Sequence, residues 1–169
     1  MIHPRPAQPA CARIDLRGRL FGNRALAAFV PPPHPQLAVS AAIFRDGKVL
    51  LVRRAKSPAN GLYSLPGGRV EFGESLHTAL HREVDEETRL KIEIAGLAGW
   101  REVLPETGRG HYLIMSFAAR WIGQEPRLNS EHDDFKWRAP DRLGDLKVTG
   151  GLQEVIDAAG RLIEASGRL

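Results

Sequence analysis

At 169 residues and a formal net charge of +4, the chain has the length of one ordinary domain with a single sizeable core. The basic excess sits in residues 1–36, with five arginines and one aspartate; the other 19 basic and 19 acidic residues leave the body neutral, which disfavours binding to a nucleic-acid polymer. A lone Cys11 excludes an internal disulfide and a cysteine-ligated zinc, and no apolar run nears the roughly 20 residues of a membrane span, so a cytoplasmic protein is expected.

Residues 1–36 read as a Pro/Arg-rich extension, with Pro4, Pro6, Pro9 and the run Pro31-Pro32-Pro33-His34-Pro35 holding it extended. Its acid-poor, Ala-rich start is taken as an irregular extension in preference to a transit peptide. Arg17 to Val30 is open between a short helix and an edge strand. The domain proper spans 37–169. LAVSAAIF (37–44) and KVLLVRR (48–54) are strand-like, and Asp46-Gly47 between them is a strong hairpin signal. Adjacent strand residues face opposite ways, so at most one of Arg53 and Arg54 meets a phosphate, with ordinary ion pairing the default. The loop 55–62 leads to Tyr63-Ser64-Leu65 and the turn Pro66-Gly67-Gly68.

Glu74-Ser75 open a helix that is expected to reach about Thr88. At about 100° per residue, Leu76, Ala79, Leu80 and Val84 form its core stripe. Glu83 and Glu87 fall inside that stripe and Glu86 on its edge. Two carboxylates one turn apart on a buried side repel each other and cost several kcal/mol to desolvate. A divalent cation is the simplest remedy, and hard oxygen ligands suit Mg²⁺ or Mn²⁺. The plain alternative is a solvated acidic face. His77 and His81 lie away from the glutamates and are read as exposed.

Beyond the helix, strands are expected over Lys91–Ala95, Leu97–Val103 and His111–Trp121, the last apolar on both faces and central. A polar loop (122–134) precedes a short strand at Phe135–Arg138. Pro140–Leu143 reads as one helical turn. Leu152, Val155, Ile156, Ala159, Leu162 and Ile163 repeat at helical spacing, giving a closing helix over 151–166. The fold class is α/β, a mixed sheet packed between helices.

Gly68, Glu74 and Arg82-Glu83-Val84-Asp85-Glu86-Glu87-Thr88-Arg89-Leu90 resemble, in type and spacing, the signature box of the Nudix hydrolases. All charged positions are kept; Arg89 stands where that box has Gly. The resemblance is dense over about 37–138. It implies an α/β/α sandwich and a metal-dependent pyrophosphohydrolase, in which activated water cleaves a nucleoside diphosphate linked to another group X. It implies Glu83, Glu86, Glu87 and the Gly67 carbonyl as metal ligands, with the identity of the base open among the three glutamates. By the same likeness Arg82 orients the glutamates by ion pairing and Glu74 holds the turn or a water.

Some family members carry a further catalytic or metal-binding glutamate in the loop before a short Trp-containing strand; Glu131 is the candidate here, with Asp133 and Asp134 behind it. Glu102 and Glu106 are better read as surface charges. Trp100, Tyr112, Trp121 and Trp137 are read as packing residues before base-stacking ones. Pro105, fifteen residues past the box, and the stretch SPANGLYSLPGGRVEFGES resemble ADP-ribose pyrophosphatases and small MutT-like members. An ADP-ribose-like nucleotide sugar is therefore placed first, an (oxidised) nucleoside triphosphate second and a GDP-mannose-type substrate third. A catalytically silent nucleotide sensor would be expected to lose a box carboxylate, and an EF-hand loop is missing. The partner is then a small-molecule nucleotide, and a homodimer stays open because many relatives are dimers.

Overall fold

Asp46 and Gly47 both take positive φ, 49° and 71°, the backbone of a tight two-residue hairpin turn. It joins β1 (Gln36–Arg45) to β2 (Lys48–Arg54) in the computed structural model, which describes residues 34–56, 59–105 and 110–167. The extension therefore lies almost wholly outside the described residues, as do Cys11, Glu106 and the segment 17–30.

The hairpin opens soon after its turn. β1 and β2 pair only at Phe44↔Val49 and Arg45↔Lys48, and segment 63–70 enters between them. Its first residues, β3 (Tyr63–Ser64), pair with β2. Its last residues bond to β1: Ala41 N–H donates to Pro66 O at 2.9 Å and Val39 N–H to Gly68 O at 2.8 Å. On its other side β1 runs parallel to β5 (Tyr112–Gly123), which pairs antiparallel with β4 (Lys91–Val103). β6 (His132–Arg138) pairs antiparallel with β2.

Alternation along the strands gives the sheet two apolar faces. Val39, Ala41, Ile43, Leu50 and Val52 pack under α1 (Leu76–Thr88). Ala42, Val49, Leu51 and Ala118 pack under α2 (Leu152–Ser166). The result is a mixed sheet between helices, as expected, with β5 inside the sheet.

Three expectations need correction. The two strands at 91–95 and 97–103 are one continuous β4, because register shifts near Ala95 and Ala98 absorb its irregular alternation without breaking the pairing with β5. Pro140–Leu143 is a hydrogen-bonded turn, Arg142 N–H to Ala139 O at 2.9 Å, and not a helical turn. The last strand begins at His132, three residues before its apolar part, since β2 continues to offer ladder partners there.

Ser75 caps α1 by accepting from Thr78 N–H at 3.1 Å. At the other end Arg89 adopts φ 60°, ψ 14°, and its N–H closes on Asp85 O. The left-handed C-cap thus forms without glycine, at a cost of about 1 kcal/mol. Exposed ion pairing of Arg89 with Asp85 at 3.3 Å recovers a few tenths at most. Arg89→Gly is therefore expected to raise the melting temperature by roughly 1–3 °C in a thermal melt. A lower melting temperature would show that the ion pair outweighs the backbone strain.

Candidate active site

The turn before α1 is shaped by two glycines. Gly67 has φ 150°, and a Cβ there would stand 2.1 Å from Val39 O, inside β1 itself. A Cβ on Gly68 would lie 2.4 Å from the Glu83 carboxylate carbon. Glu83 therefore rests directly on the turn, and the turn is fixed to the central strand.

Arg82 organises the acidic cluster. Its Nε donates to Glu74 Oε1 and its Nη2 to Glu74 Oε2, both at 2.9 Å. Nη1 donates to Glu83 Oε1 at 2.8 Å and to Glu86 Oε2 at 3.3 Å, while Nη2 also reaches Arg69 O at 3.0 Å. The fork is bidentate toward Glu74, which lysine cannot reproduce. The guanidinium holds the Glu74 carboxyl below the usual range, and Glu74 also accepts from Glu71 N–H at 3.1 Å, which ties down the turn.

Glu87 is only 4 % exposed, and its Oε2 accepts from Gly67 N–H at 2.8 Å. Burial pushes its carboxyl up to about 8, the Gly67 bond opposing and the charges of Glu83 and Glu131 adding to the rise. Glu83 is raised too, again mainly by burial, with Arg82 opposing. Glu86 is on the exposed edge. The inward placement expected for Glu83 and Glu87 is what the structure has.

Glu131 joins this group through the backbone. Arg127 N–H donates to Thr88 O at 2.8 Å and Asn129 N–H to Glu87 O at 3.3 Å, so the loop satisfies carbonyls at the end of α1. Ala55 N–H then holds Glu131 O at 2.8 Å. The other loop acids are engaged elsewhere: Asp133 pairs with Arg53 at 2.7 Å, and Asp134 accepts from the Tyr63 hydroxyl and pairs with Lys136 at 3.3 Å. Glu102 pairs with His111 at 2.8 Å.

Arg54 lies opposite His132 in the ladder and forms no ion pair among the described residues, while its charge acts on Glu87. His77 and His81 are exposed, His77 lying edge-on to Phe117. Trp121 packs under Arg45 at 4.1 Å and Trp137 against the core, whereas Trp100 is exposed.

His132 was not singled out by sequence. It is buried, with Nε2 3.9 Å from Glu87 Oε1, and burial and Arg54 hold its imidazole below the usual range. Strict alternation from Phe135 and Trp137 would turn it to the opposite face. The register shift between Arg53 and Arg54 skips Asp133 and sets His132 opposite Arg54. A bulge of this kind leaves no period-2 signal to read.

Among the described residues no three acidic, histidine or cysteine side chains converge as a ready metal cage. Arg82 draws Glu83 and Glu86 to itself, and Gly67 draws Glu87. The donor chemistry nonetheless fits a hard divalent cation: the group is all oxygen, and Glu83 and Glu87 are raised by burial first and by neighbouring carboxylate charge second, a penalty that a cation reverses.

The NUDIX domain family matches residues 34–159. The chain is 32 % identical over 139 residues to the MutT-like protein of Streptomyces ambofaciens, covering 82 % of this chain and 86 % of that one. It is 39 % identical over 98 residues to the ADP-ribose pyrophosphatase of Methanocaldococcus jannaschii, 58 % of each chain. Among solved structures, the MutT NUDIX hydrolase of Burkholderia pseudomallei superposes with a TM-score of 0.68 at 29 % identity, over 74 % of this chain and 98 % of that one. A family match that runs from the entry to β1 well into α2, on a chain with this acidic helix, places the protein in the Nudix hydrolase family.

Proposed function

We propose that the protein hydrolyses a nucleoside diphosphate linked to a second group, with Mg²⁺ or Mn²⁺ as cofactor and an ADP-ribose-like nucleotide sugar as substrate. The observation that carries this reading is the pair of inward carboxylates, Glu83 and Glu87, lying on the Gly67-Gly68 turn, with the exposed Glu131 near enough for its charge to act on both. Glu83, Glu86, Glu87 and the Gly67 carbonyl would hold the cation. When bound, such a cation neutralises crowded phosphate oxygens and lowers the pKa of neighbouring water.

The chain's own residues do the rest. Arg82, saturated by Glu74, Glu83, Glu86 and Arg69 O, orients carboxylates and has no donor to spare for substrate. Glu74 fixes Arg82 and the turn. Glu131, carried on a loop clipped to α1, is the candidate to take a proton from the attacking water, with the box glutamates as alternatives for that role.

Support for ADP-ribose comes from Pro105 and from the 39 % identical relative that bears that activity in its name. The second reading, a nucleoside triphosphate substrate, is favoured by the MutT-like relative, whose similarity covers more of the chain. A silent sensor is disfavoured because each box carboxylate is kept.

Three outcomes are expected. In a panel of ADP-ribose, GDP-mannose, dGTP and 8-oxo-dGTP with Mg²⁺ or Mn²⁺, ADP-ribose should show the highest kcat/KM, yielding AMP and ribose 5-phosphate. No turnover of any compound, or equal turnover by Glu87→Gln, removes the enzyme reading.

Gly68→Ala should lower kcat at least tenfold, or about 1.4 kcal/mol in the barrier, with little loss of melting temperature. The added methyl displaces the flexible end of Glu83 and not backbone. Wild-type turnover in that variant would show that the position of Glu83 is immaterial.

The third outcome concerns pH. Without metal, Glu87 is raised from 4.5 to about 8 by folding, so its contribution is fully present below 4.5 and lost as pH rises through 8. Metal-free stability should fall between pH 5 and 8 by on the order of a few kcal/mol more than in Glu87→Gln. Urea titrations with equal slopes against pH in both proteins would contradict the burial of this carboxyl.

A further inference from the structure

His132 is left over by the roles above. Its side chain is 1 % exposed. Its Nδ1 is enclosed and has no hydrogen-bond partner among the described residues. An orphaned ring nitrogen in the interior costs roughly 1–3 kcal/mol, a penalty that an apolar residue of similar size would avoid. An ordinary core histidine is satisfied at one nitrogen at least. This one has Nε2 3.9 Å from Glu87 Oε1, short of a hydrogen bond.

Glu87 supplies the complementary need. Its Oε2 is held by Gly67 N–H, and its Oε1 has no donor among the described residues. A buried ionised carboxylate is stable only when its oxygens are matched by donors or by a cation. A carboxylate that ligates a metal is itself steadied by hydrogen bonds from behind, and those partners matter nearly as much as the ligand. The β6 bulge, which skips Asp133, is what puts the ring on this side of the sheet.

We propose that His132 is a positioning residue for Glu87: its Nε2–H holds Glu87 Oε1 while that carboxylate serves a divalent cation. The gap to be closed is about 1 Å, within the reach of a small side-chain rotation. This inference rests on the reading of Glu87 as a cation ligand.

The test uses Mn²⁺ alone, titrated into the full metal-free chain and read by electron paramagnetic resonance, with no substrate present. His132→Leu is expected to weaken Mn²⁺ binding about tenfold. His132→Gln, which places an amide N–H near the position of Nε2, is expected to restore it to within about threefold of the parent. Unchanged binding in His132→Leu, or a folded His132→Gln as weak as His132→Leu, overturns the inference.

Glu87→Gln separates the two layers of the argument. If it binds Mn²⁺ like the parent, the ligand reading fails; if it loses Mn²⁺ while His132→Leu does not, only the role of His132 fails. Should the leucine variant not fold, nitrogen-15 NMR of the parent decides. The ring proton is expected on Nε2, with its resonance moving when Mg²⁺ is added, and a proton found on Nδ1 overturns the proposal.

Discussion

The acidic face of α1 can be buried because one guanidinium and one backbone amide stand against it. Arg82 binds Glu74 in a two-pronged fork and extends its remaining donors to Glu83, Glu86 and Arg69 O. Gly67 N–H takes Glu87. Removing Arg82 would leave half-buried carboxylates unpaired, the situation in which breaking a charge network costs most. The network is still not neutral: Glu83 and Glu87 remain held above their ordinary range despite it. That residual cost is the physical reason to expect a cation, and it gives the helix a purpose other than stability.

The sheet serves this helix by fixing the turn that precedes it. Segment 63–70 enters the opened β1–β2 hairpin, where Leu37, Val39 and Ala41 bond to its backbone. Gly67 and Gly68 are tied to a central strand and not to a free loop. Glycine is needed at each for close approach, to β1 at Gly67 and to Glu83 at Gly68. A site placed on rigid elements in this way keeps its geometry to within fractions of an ångström.

Much of this was legible in the sequence for reasons that can be named. Asp46-Gly47 announced its hairpin because few other residues accept two successive positive φ values. The inward glutamates showed because a helix has a fixed angular period, so that Glu83 and Glu87 had to share the side of Leu80. What stayed hidden were departures from regular period. β4 looked like two strands because bulges reset its alternation. His132 lies in a stretch that reads as polar loop, and in the strand found there a bulge turns it to the face that strict alternation would give Asp133. The pairing of Arg82 with Glu74, eight residues apart, depended on where the turn folds back and not on helical spacing.

The parallel pairing of β1 with β5 sets Ser40 beside Ser116, 76 residues later, with their hydroxyl oxygens 2.9 Å apart. Parallel strands so far apart in the chain must close a long loop before any contact rewards them. The box helix lies inside that loop. A nascent chain that has emerged only through α1 carries all four box glutamates yet lacks the strand on which β1 is seated. The strand that flanks β1 opposite the glycine turn is thus made after the glutamates that the turn supports.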